Sequence, residues 1–158
     1  MTSTISTTFG RIDVLMVASA GGHWQQLMLL REAFDGRDVH YATTLRGLAL
    51  QSGATPAHLI PDCNRNAPIA TLLATFHIAL LLVRLRPRMI VTTGALPGLI
   101  AIAVGRRLGA RTVWIDSIAN AEEMSLAGMK ARTHADLWLS QWPQVARDTG
   151  ADYAGSVL

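Results

Sequence analysis

Short apolar runs alternate with segments of helical periodicity along this chain. The first run, residues 12–18, is almost continuously apolar, which is typical of a parallel strand buried on both faces. Trp24, Leu27, Leu30 and Phe34 follow at spacings of three and four, which places them on one face of a helix. A buried strand that leads directly into a helix predicts the first unit of an α/β fold.

The same alternation continues to the end of the sequence. Further strands are predicted at 39–43, 57–60, 89–92, 112–115 and 136–140, with a last extended piece at 153–158. Helices are predicted at 45–52, 69–83 and 97–108, from Pro143, and near Ala121, where Asn120 and Glu123 resemble a capping box. We therefore expect one domain over residues 1–158, an α/β Rossmann-like parallel sheet with helices on both faces.

Two glycine-bearing loops are expected to meet in this fold. With the strand order 3-2-1-4-5-6, the first and fourth strands are neighbours, and the loops after them, 20–23 and 93–98, flank a crevice. Gly21 and Gly22 open the first helix, whose free N–H groups and positive end favour an anion such as phosphate. His23 lies on the first turn of that helix, so the sequence predicts a phosphate-binding crevice with a histidine at its mouth.

The chain is apolar and moderately basic. Half of its 158 residues are hydrophobic, only 16% are charged, and the net charge is +3. The arginines that follow the apolar segment 69–83 are not interleaved with aromatic residues, as they would be in a nucleic-acid groove. Two interpretations of this segment are open: a buried helix, or a helix that lies in an anionic membrane interface. In the second interpretation the membrane-contact residues are Leu80, Leu81, Leu82, Arg84, Arg86 and Arg88.

Several common chemistries are excluded by missing motifs. The sequence has no G-x-G-x-x-G, no phosphate-loop lysine motif and no G-x-S-x-G turn. Cys63 is the only cysteine, which excludes a disulfide framework, and it is interpreted as an ordinary loop residue. Four histidines have no metal-ligand spacing and are interpreted as structural: His40, His58, His77 and His134. We expect no metal, no cofactor and no nucleic-acid partner. Residues 1–10 lack the features of a signal peptide, so a cytoplasmic location is expected.

Several segments of the sequence resemble a known family. V-A-S-A-G-G-H-W-Q-Q-L and T-T-G-A-L-P-G look like the two glycine loops of GT-B glycosyltransferases, which pair two Rossmann-like domains. More specific are W-I-D-S-I-A-N-A-E-E-M-S-L-A-G, A-D-L-W-L-S-Q-W-P and Y-A-G-S-V-L. Together these segments, spread over residues 12–158, resemble the oligosaccharide-biosynthesis subunit family. That family forms the membrane-docking half of split UDP-GlcNAc transferases, and its bacterial relatives act in exopolysaccharide assembly.

The resemblance implies a division of labour between two polypeptides. This chain is then equivalent to the N-terminal, acceptor-side domain of a GT-B enzyme, and a separate subunit of the C-terminal-half type binds the UDP-sugar. The implied reaction is an inverting transfer of GlcNAc or another hexose to a lipid-linked acceptor, by a peripheral enzyme on the inner face of the cell membrane. The eukaryotic relatives carry an N-terminal membrane anchor that this sequence lacks, so residues 69–88 are expected to carry the membrane contact.

Candidate site residues follow from both lines of argument. His23 is expected to act as the base for the acceptor hydroxyl or as a phosphate ligand. The residues expected to bind the acceptor phosphate are Gly21, Gly22, Thr93 and Gly94. Similarity to the family also suggests an acidic residue after the fifth strand, a position that Asp116 occupies; a cap for the loop at Ser117 or Asn120 is the alternative.

Two other functions remain open at this stage. One is a non-catalytic membrane adaptor that only recruits the catalytic partner. The other is a small-molecule-binding α/β module without a partner. Activity of the lone chain with a UDP-sugar separates the enzyme subunit from the adaptor, and a monodisperse, soluble monomer without lipid affinity would favour the third function.

Overall fold

Six parallel strands form one sheet in the order β3-β2-β1-β4-β5-β6, as the sequence predicts. The computed structural model describes residues 11–157; the expectations for residues 1–10 and for Leu158 lie outside this range. The strands are β1 Val14–Ala18, β2 Val39–Thr43, β3 Ala57–Leu59, β4 Met89–Thr92, β5 Arg111–Ile115 and β6 Leu137–Leu139. The helices are α1 Gly22–Leu29, α2 Leu48–Gln51, α3 Pro68–Leu85, α4 Ala95–Arg107, α5 Leu126–Ala131 and α6 Pro143–Thr149, and a 3₁₀ helix covers Arg31–Phe34.

Strand β1 is the centre of the sheet. Val14 pairs with Val39 of β2 on one side and with Met89 of β4 on the other, and all five residues of β1 are buried. This burial on both faces explains why residues 14–18 are apolar without alternation. The α/β Rossmann-like fold is therefore confirmed.

Helices cover the sheet in two layers. Leu15, Val17 and Ile90 belong to the apolar cluster that also contains residues of α3, α4 and α5, so we call this side the α3–α5 face. Val14 and Met16 point the other way and pack with Trp24 and Leu27 of α1, on the side that we call the α1–α2 face. Alternation of side chains along each strand separates the two faces.

Helix α4 packs unusually close to β4. A Cβ atom added to Gly98 would overlap the hydroxyl of Thr92, and one added to Gly105 would overlap the Cδ1 atom of Ile90. The two glycines are seven residues apart, so they lie on one face of the helix. Glycine at both positions therefore allows α4 to lie directly on the strand with Thr92 and Ile90 in their present positions.

The sequence-based prediction of a capping box at Asn120 and Glu123 is wrong. Helix α5 begins at Leu126, and its cap is Ser125, whose hydroxyl oxygen accepts a hydrogen bond from the N–H of Gly128 at 2.8 Å. The Asn120 side chain donates instead to the buried carboxylate of Asp116, at 2.9 Å. Residues 117–124 thus form an irregular loop around that carboxylate instead of a first helical turn.

Smaller differences concern the ends of elements. The first helix ends at Leu29, and the segment 31–34 continues as a 3₁₀ helix. Helix α4 begins at Ala95, two residues before the proline that was expected to open it. In the last segment, Asp152 forms a single parallel bridge with Leu139, and residues 153–157 have no regular secondary structure.

Candidate functional site

The two glycine loops meet at the carboxyl ends of β1 and β4. These strands are hydrogen-bonded neighbours, so the loop that leads into α1 and the loop that leads into α4 face each other across one edge of the sheet. His23, on the first turn of α1, contacts Thr93 and Gly94 of the second loop. The predicted convergence of the two loops is present in the structure.

His23 is held by a pair of hydrogen bonds to Thr93. The Nδ1 atom of His23 lies 2.9 Å from the carbonyl oxygen of Thr93, and the Thr93 hydroxyl donates to the carbonyl oxygen of His23 at 2.6 Å. A carbonyl oxygen only accepts hydrogen bonds, so Nδ1 must carry the proton. In the neutral ring, Nε2 then keeps its lone pair, which is the form that a general base requires.

The glycines of the two loops have different surroundings. Gly21 and Gly22 are exposed, and a Cβ atom at either would meet nothing within 4 Å, so this stretch of backbone is open to a ligand. Gly94 is buried, and a Cβ atom there would lie 2.8 Å from Cε1 of His23. Its N–H donates to the hydroxyl of Thr92 at 3.2 Å. Gly94 therefore makes room for the imidazole ring.

These contacts bear on the predicted phosphate site. Gly21 and Gly94 are the N-cap residues of α1 and α4, and neither helix start has a side-chain cap or an acidic residue in its first turn. Such helix ends carry unpaired N–H groups and positive potential. Thr93, in contrast, is buried and uses its hydroxyl on His23. A phosphate contact by the backbone of Gly21 and Gly22 stays a prediction, and the open space around both residues allows it. Thr93 and Gly94 instead contact His23 and hold its side chain in place.

Asp116 is deeply buried, with only 2% of its surface exposed. Its two carboxylate oxygens accept four hydrogen bonds, from the indole N–H of Trp114, the amide of Asn120, and both the backbone N–H and the hydroxyl of Ser125. Each oxygen therefore already has two donors, which leaves no free lone pair for an acceptor hydroxyl. The geometry favours the alternative given above, in which Asp116 organises the loop after β5.

Two buried glutamines connect the crevice loops, and sequence reasoning did not identify them. Gln26, one turn after His23, donates to the hydroxyl of Ser117 at 3.1 Å and accepts from the N–H of Ile118 at 2.9 Å. Gln141 donates to the side-chain oxygen of Gln26 at 2.8 Å and accepts from the N–H of Val157 at 2.9 Å. The start of α1, the loops after β5 and β6 and the last described residues thus form one network.

Helix α3 contains the predicted membrane-contact segment, and the structure corrects one part of that prediction. Leu82 is only 1% exposed and packs in the core, because it shares the inner side of the helix with Ala74 and Ile78. Leu81 is half-buried against the core, whereas Leu80 is exposed. Three consecutive residues span about 200° around a helix, so they cannot all face one surface. The arginines that follow α3 or end it, Arg84, Arg86 and Arg88, are exposed.

The outer side of α3 carries an apolar stripe, which we call the α3 outer face. Its residues are Ile69, Leu72, Leu73, Phe76, Leu80 and Val83. Leu72 is 70% exposed and Phe76 is 65% exposed, which is unusual for large apolar side chains in a continuous row. The 18-residue helix has a mean hydropathy of 1.9, which is compatible with a membrane span by length and composition. Because its inner side packs on the sheet, however, lipid can reach only the outer face.

The contacts of the other reactive side chains in the described part of the chain indicate structural roles. Burial, assisted by the nearby Asp62, raises the pKa of the Cys63 thiol, which makes it a poor nucleophile. His40 and His58 lie on adjacent strands and their rings share a hydrogen bond of 2.9 Å. Among residues 11–157, no three acidic, histidine or cysteine side chains lie close enough together to hold a metal ion.

Two solved structures have the same fold as this chain. Acinetobacter baumannii MurG matches with a TM-score of 0.76 and 16% sequence identity, over 93% of this chain and 46% of that protein. The UDP-GlcNAc 2-epimerase from Methanocaldococcus jannaschii matches with a TM-score of 0.62 and 10% identity, over 87% of this chain and 41% of the epimerase.

These comparisons establish the fold. No family model and no curated protein matches the sequence. At 10–16% identity the similarity is one of architecture, and the chain spans less than half the length of either solved protein. The chain has the Rossmann-like fold of the N-terminal GT-B domain of MurG.

Proposed function

We propose that this chain is the acceptor-side and membrane-side subunit of a two-component glycosyltransferase. The observation that carries the proposal is His23, whose Nδ1 proton is committed to Thr93 and whose Nε2 stands beside two uncapped helix starts. A base next to an anion-binding backbone is what transfer to a hydroxyl near a phosphate requires. The resemblance of the glycine loops to those of GT-B glycosyltransferases supports the same conclusion.

The proposed reaction uses His23 as a general base. Nε2 removes the proton from the acceptor hydroxyl while the hydroxyl oxygen attacks the anomeric carbon of the sugar. The bond between that carbon and the diphosphate oxygen breaks, and UDP leaves with its electron pair, which inverts the configuration. Gly21 and Gly22 would hold the phosphate of the acceptor through backbone N–H groups. Asp116 has no free oxygen for this task, so it is not part of the proposed mechanism.

The donor would be bound by a second polypeptide of the C-terminal-half type. Two observations support this part of the proposal. The chain corresponds to less than half of each matching structure, and one of them is named for a UDP-sugar substrate. The sugar is GlcNAc-like or another hexose, and the isolated chain is expected to be inactive.

Membrane association at the inner face of the cell membrane would use the α3 outer face. Insertion of these side chains into the interface removes apolar surface from water, and Arg84, Arg86 and Arg88 would contact anionic headgroups. In this orientation the enzyme and its lipid-linked acceptor would lie at the same membrane surface. A lipid-linked acceptor in polysaccharide or oligosaccharide biosynthesis fits that arrangement.

The alternative function is a non-catalytic adaptor. It is favoured by the α3 outer face alone, because membrane recruitment of a partner needs no histidine. Replacement of His23 by alanine in the reconstituted pair distinguishes the two functions. If His23 is the base, turnover falls by about 10²–10⁴-fold while the fold and the affinity for the partner are retained.

The matched control is His134→Ala, which removes a half-buried histidine outside the crevice. We expect its turnover to equal that of the unmodified pair. Unchanged turnover in His23→Ala would contradict the catalytic role and leave the adaptor function. Full activity of the isolated chain with a UDP-sugar would contradict the two-component proposal.

A further inference from the structure

A shallow groove lies between the edge strand β3 and helix α3. It has a volume of about 340 Å³ and is lined by two histidines and one arginine, His58, His77 and Arg84. Its other walls are apolar and include Leu59 and Leu80, which are 52% and 53% exposed. None of the described residues that line this groove, which we call the β3–α3 groove, carries a carboxylate. The groove therefore combines three groups that can carry positive charge with exposed apolar surface.

The contacts of His58 use only one nitrogen of its ring. Nε2 of His58 lies 2.9 Å from Nδ1 of His40 on β2, and Nε2 of His40 lies 3.6 Å from the carboxylate of Asp38. The carboxylate favours a proton on Nε2 of His40, so Nδ1 of His40 accepts the hydrogen bond and His58 donates it. Nδ1 of the neutral His58 ring then keeps a lone pair, and within residues 11–157 it has no hydrogen-bond partner.

His77 and Arg84 belong to α3 and lie seven residues apart, on one face of the helix. Nδ1 of His77 lies 2.8 Å from the carbonyl oxygen of Leu73, so Nδ1 carries the proton and Nε2 keeps its lone pair. Arg84 has no ion pair within the described range 11–157, and its guanidinium stays charged at every physiological pH. The groove thus contains one permanent charge and two rings that gain a second donor only when they are protonated.

We propose that the β3–α3 groove binds the phosphate of an anionic phospholipid, and that protonation of His58 and His77 strengthens this binding. A guanidinium is well suited to phosphate oxygens. The lone pair of a neutral imidazole repels such an oxygen, whereas an imidazolium donates a charge-assisted hydrogen bond to it. The inference rests on the proposed function, because it takes the phospholipid from the membrane that the α3 outer face is proposed to contact.

The apolar walls favour a lipid over a soluble phosphate. Leu80 belongs both to the β3–α3 groove and to the α3 outer face, so the two surfaces are continuous. A phospholipid with its phosphate in the groove can cover Leu80 and Leu59 with its apolar part, which removes apolar surface from water. A free phosphate ion gains nothing from these side chains.

The charges around His58 couple this binding to pH. The groups that face His58 are His40 and its partner Asp38 on the side of β2, and His77 and Arg84 on the side of α3. Burial, followed by the charges of His40 and Arg84, lowers the pKa of His58, so the folded chain favours the neutral ring. A phosphate in the groove would stabilise the imidazolium form. Binding then takes up protons, so the affinity should rise as the pH falls.

The experiment measures flotation of the whole chain with phosphatidylcholine vesicles that contain phosphatidylglycerol, at about pH 7.5 and about pH 5.5. We expect the affinity to be about 5–25-fold higher at the lower pH, because one positive charge at an anionic surface contributes about fivefold. His58→Gln combined with His77→Gln should remove this increase. The matched control His134→Gln changes a half-buried histidine outside the groove and should keep it.

Arg84→Gln provides a second comparison. Its charge does not titrate, so this variant should lose about fivefold in affinity at both pH values. Circular dichroism at both pH values checks that each variant is folded. Where the change at His58 disturbs the fold, His77→Gln alone still tests the inference, because His77 is exposed and its replacement should remove about fivefold of the increase.

The outcomes separate this inference from the proposed function. Vesicle binding that does not depend on pH, or a dependence that the double histidine variant retains, would overturn the inference and leave the proposed function intact. Inorganic phosphate that binds the chain without vesicles, and loses affinity in the same variants, would overturn the lipid as the source of the phosphate. Absence of vesicle binding at both pH values would overturn the membrane side of the proposed function itself.

Discussion

His23 and Thr93 bind each other in both directions, although 70 residues separate them in the sequence. The imidazole Nδ1–H donates to the carbonyl of Thr93, and the Thr93 hydroxyl donates to the carbonyl of His23. Gly94 lies directly beneath the ring, with no side chain of its own. The tautomer and the orientation of His23 therefore depend on the second loop as much as on the helix that carries it.

Replacement of Gly94 by alanine should displace His23. The new Cβ atom would lie 2.8 Å from Cε1 and 2.9 Å from Nδ1 of the ring, and the backbone φ of +128° is strained for any residue with a side chain. We expect a loss of unfolding free energy of about 1–3 kcal/mol from the backbone and a further loss from the ring contact. Chemical denaturation measures the total, and the histidine NMR signals report the ring.

Gly21→Ala is the matched control for that prediction. Gly21 also opens a helix, with φ of +81° and ψ of −142°, but nothing lies within 4 Å of its added Cβ atom. Gly21→Ala should therefore lose only the part of the unfolding free energy that comes from backbone strain, because its Cβ atom does not contact His23. In a His23→Ala background, only Gly94→Ala should recover stability. If Gly94→Ala costs the same with and without the imidazole ring, the proposed contact is not a cause of the loss.

Replacement of Asp116 by asparagine tests its structural role. The amide NH₂ group would face N–H and O–H donors that now point at a carboxylate, so at least one buried donor loses its acceptor. We expect a loss of about 1–3 kcal/mol in unfolding free energy. Asp148→Asn, on the exposed side of α6, is the control and should change stability by less than about 0.5 kcal/mol. Full stability of Asp116→Asn combined with lost turnover would restore the catalytic interpretation.

Substitutions on the two sides of α3 should lower different quantities: the affinity for vesicles on the outer side and the stability of the fold on the inner side. Phe76→Ser removes an exposed apolar side chain, so stability should be retained while the affinity for anionic vesicles falls by about 1.5–3 kcal/mol, or about 10–150-fold. Leu82→Ala should lower the unfolding free energy by about 2–5 kcal/mol, because Leu82 lies in the core. Vesicle flotation and denaturation measure the two quantities. Unchanged flotation of Phe76→Ser, together with Leu72→Ser, would contradict membrane contact through this face.

Acid should destabilise the protein through His58. Burial lowers the pKa of His58, and the charges of His40 and Arg84 lower it further, so the folded state favours the neutral ring. The unfolded chain takes up the proton first, below about pH 6.5, so this contribution to stability is present above that pH. It is lost as the pH falls from there through the lower pKa of the folded state.

His58→Gln should therefore reduce the acid dependence of the unfolding free energy below about pH 6.5. The control is His77→Gln, which changes an exposed histidine of α3 that lines the same shallow groove as His58. Denaturation at several pH values gives both slopes. Equal slopes for the His58 variant and the unmodified chain would show that another group causes any acid sensitivity.

Periodicity and motif spacing predict the sheet order and the meeting of the two glycine loops. Both depend on local patterns: an apolar run such as 12–18, and glycines that follow a strand directly. The cap of α5 was mispredicted because Asn120 and Glu123 have the correct spacing, but the Asn120 amide donates to the buried carboxylate of Asp116, directly after β5. A tertiary contact of this kind has no local signal.

The partners of side chains were the least predictable part. His40 and His58 look unrelated in the sequence, and they meet because β2 and β3 are adjacent. Gln26 and Gln141 bond over 115 positions, which no spacing rule addresses. The exposed stripe of α3, in contrast, has helical spacing from Ile69 to Val83, so the sequence contained that signal. The sequence does not show, however, which side of this helix packs on the sheet.

The close packing of α4 on β4 gives the two loops of the crevice different freedom to move. Gly98 and Gly105 leave no space between helix and strand, so the loop that ends at Gly94 is expected to move only with the sheet itself. The opposite loop at Gly21 and Gly22 has open space around it. Under the proposed function, acceptors of different shape should therefore be accommodated by the loop before α1, whereas the loop before α4 is expected to keep one shape.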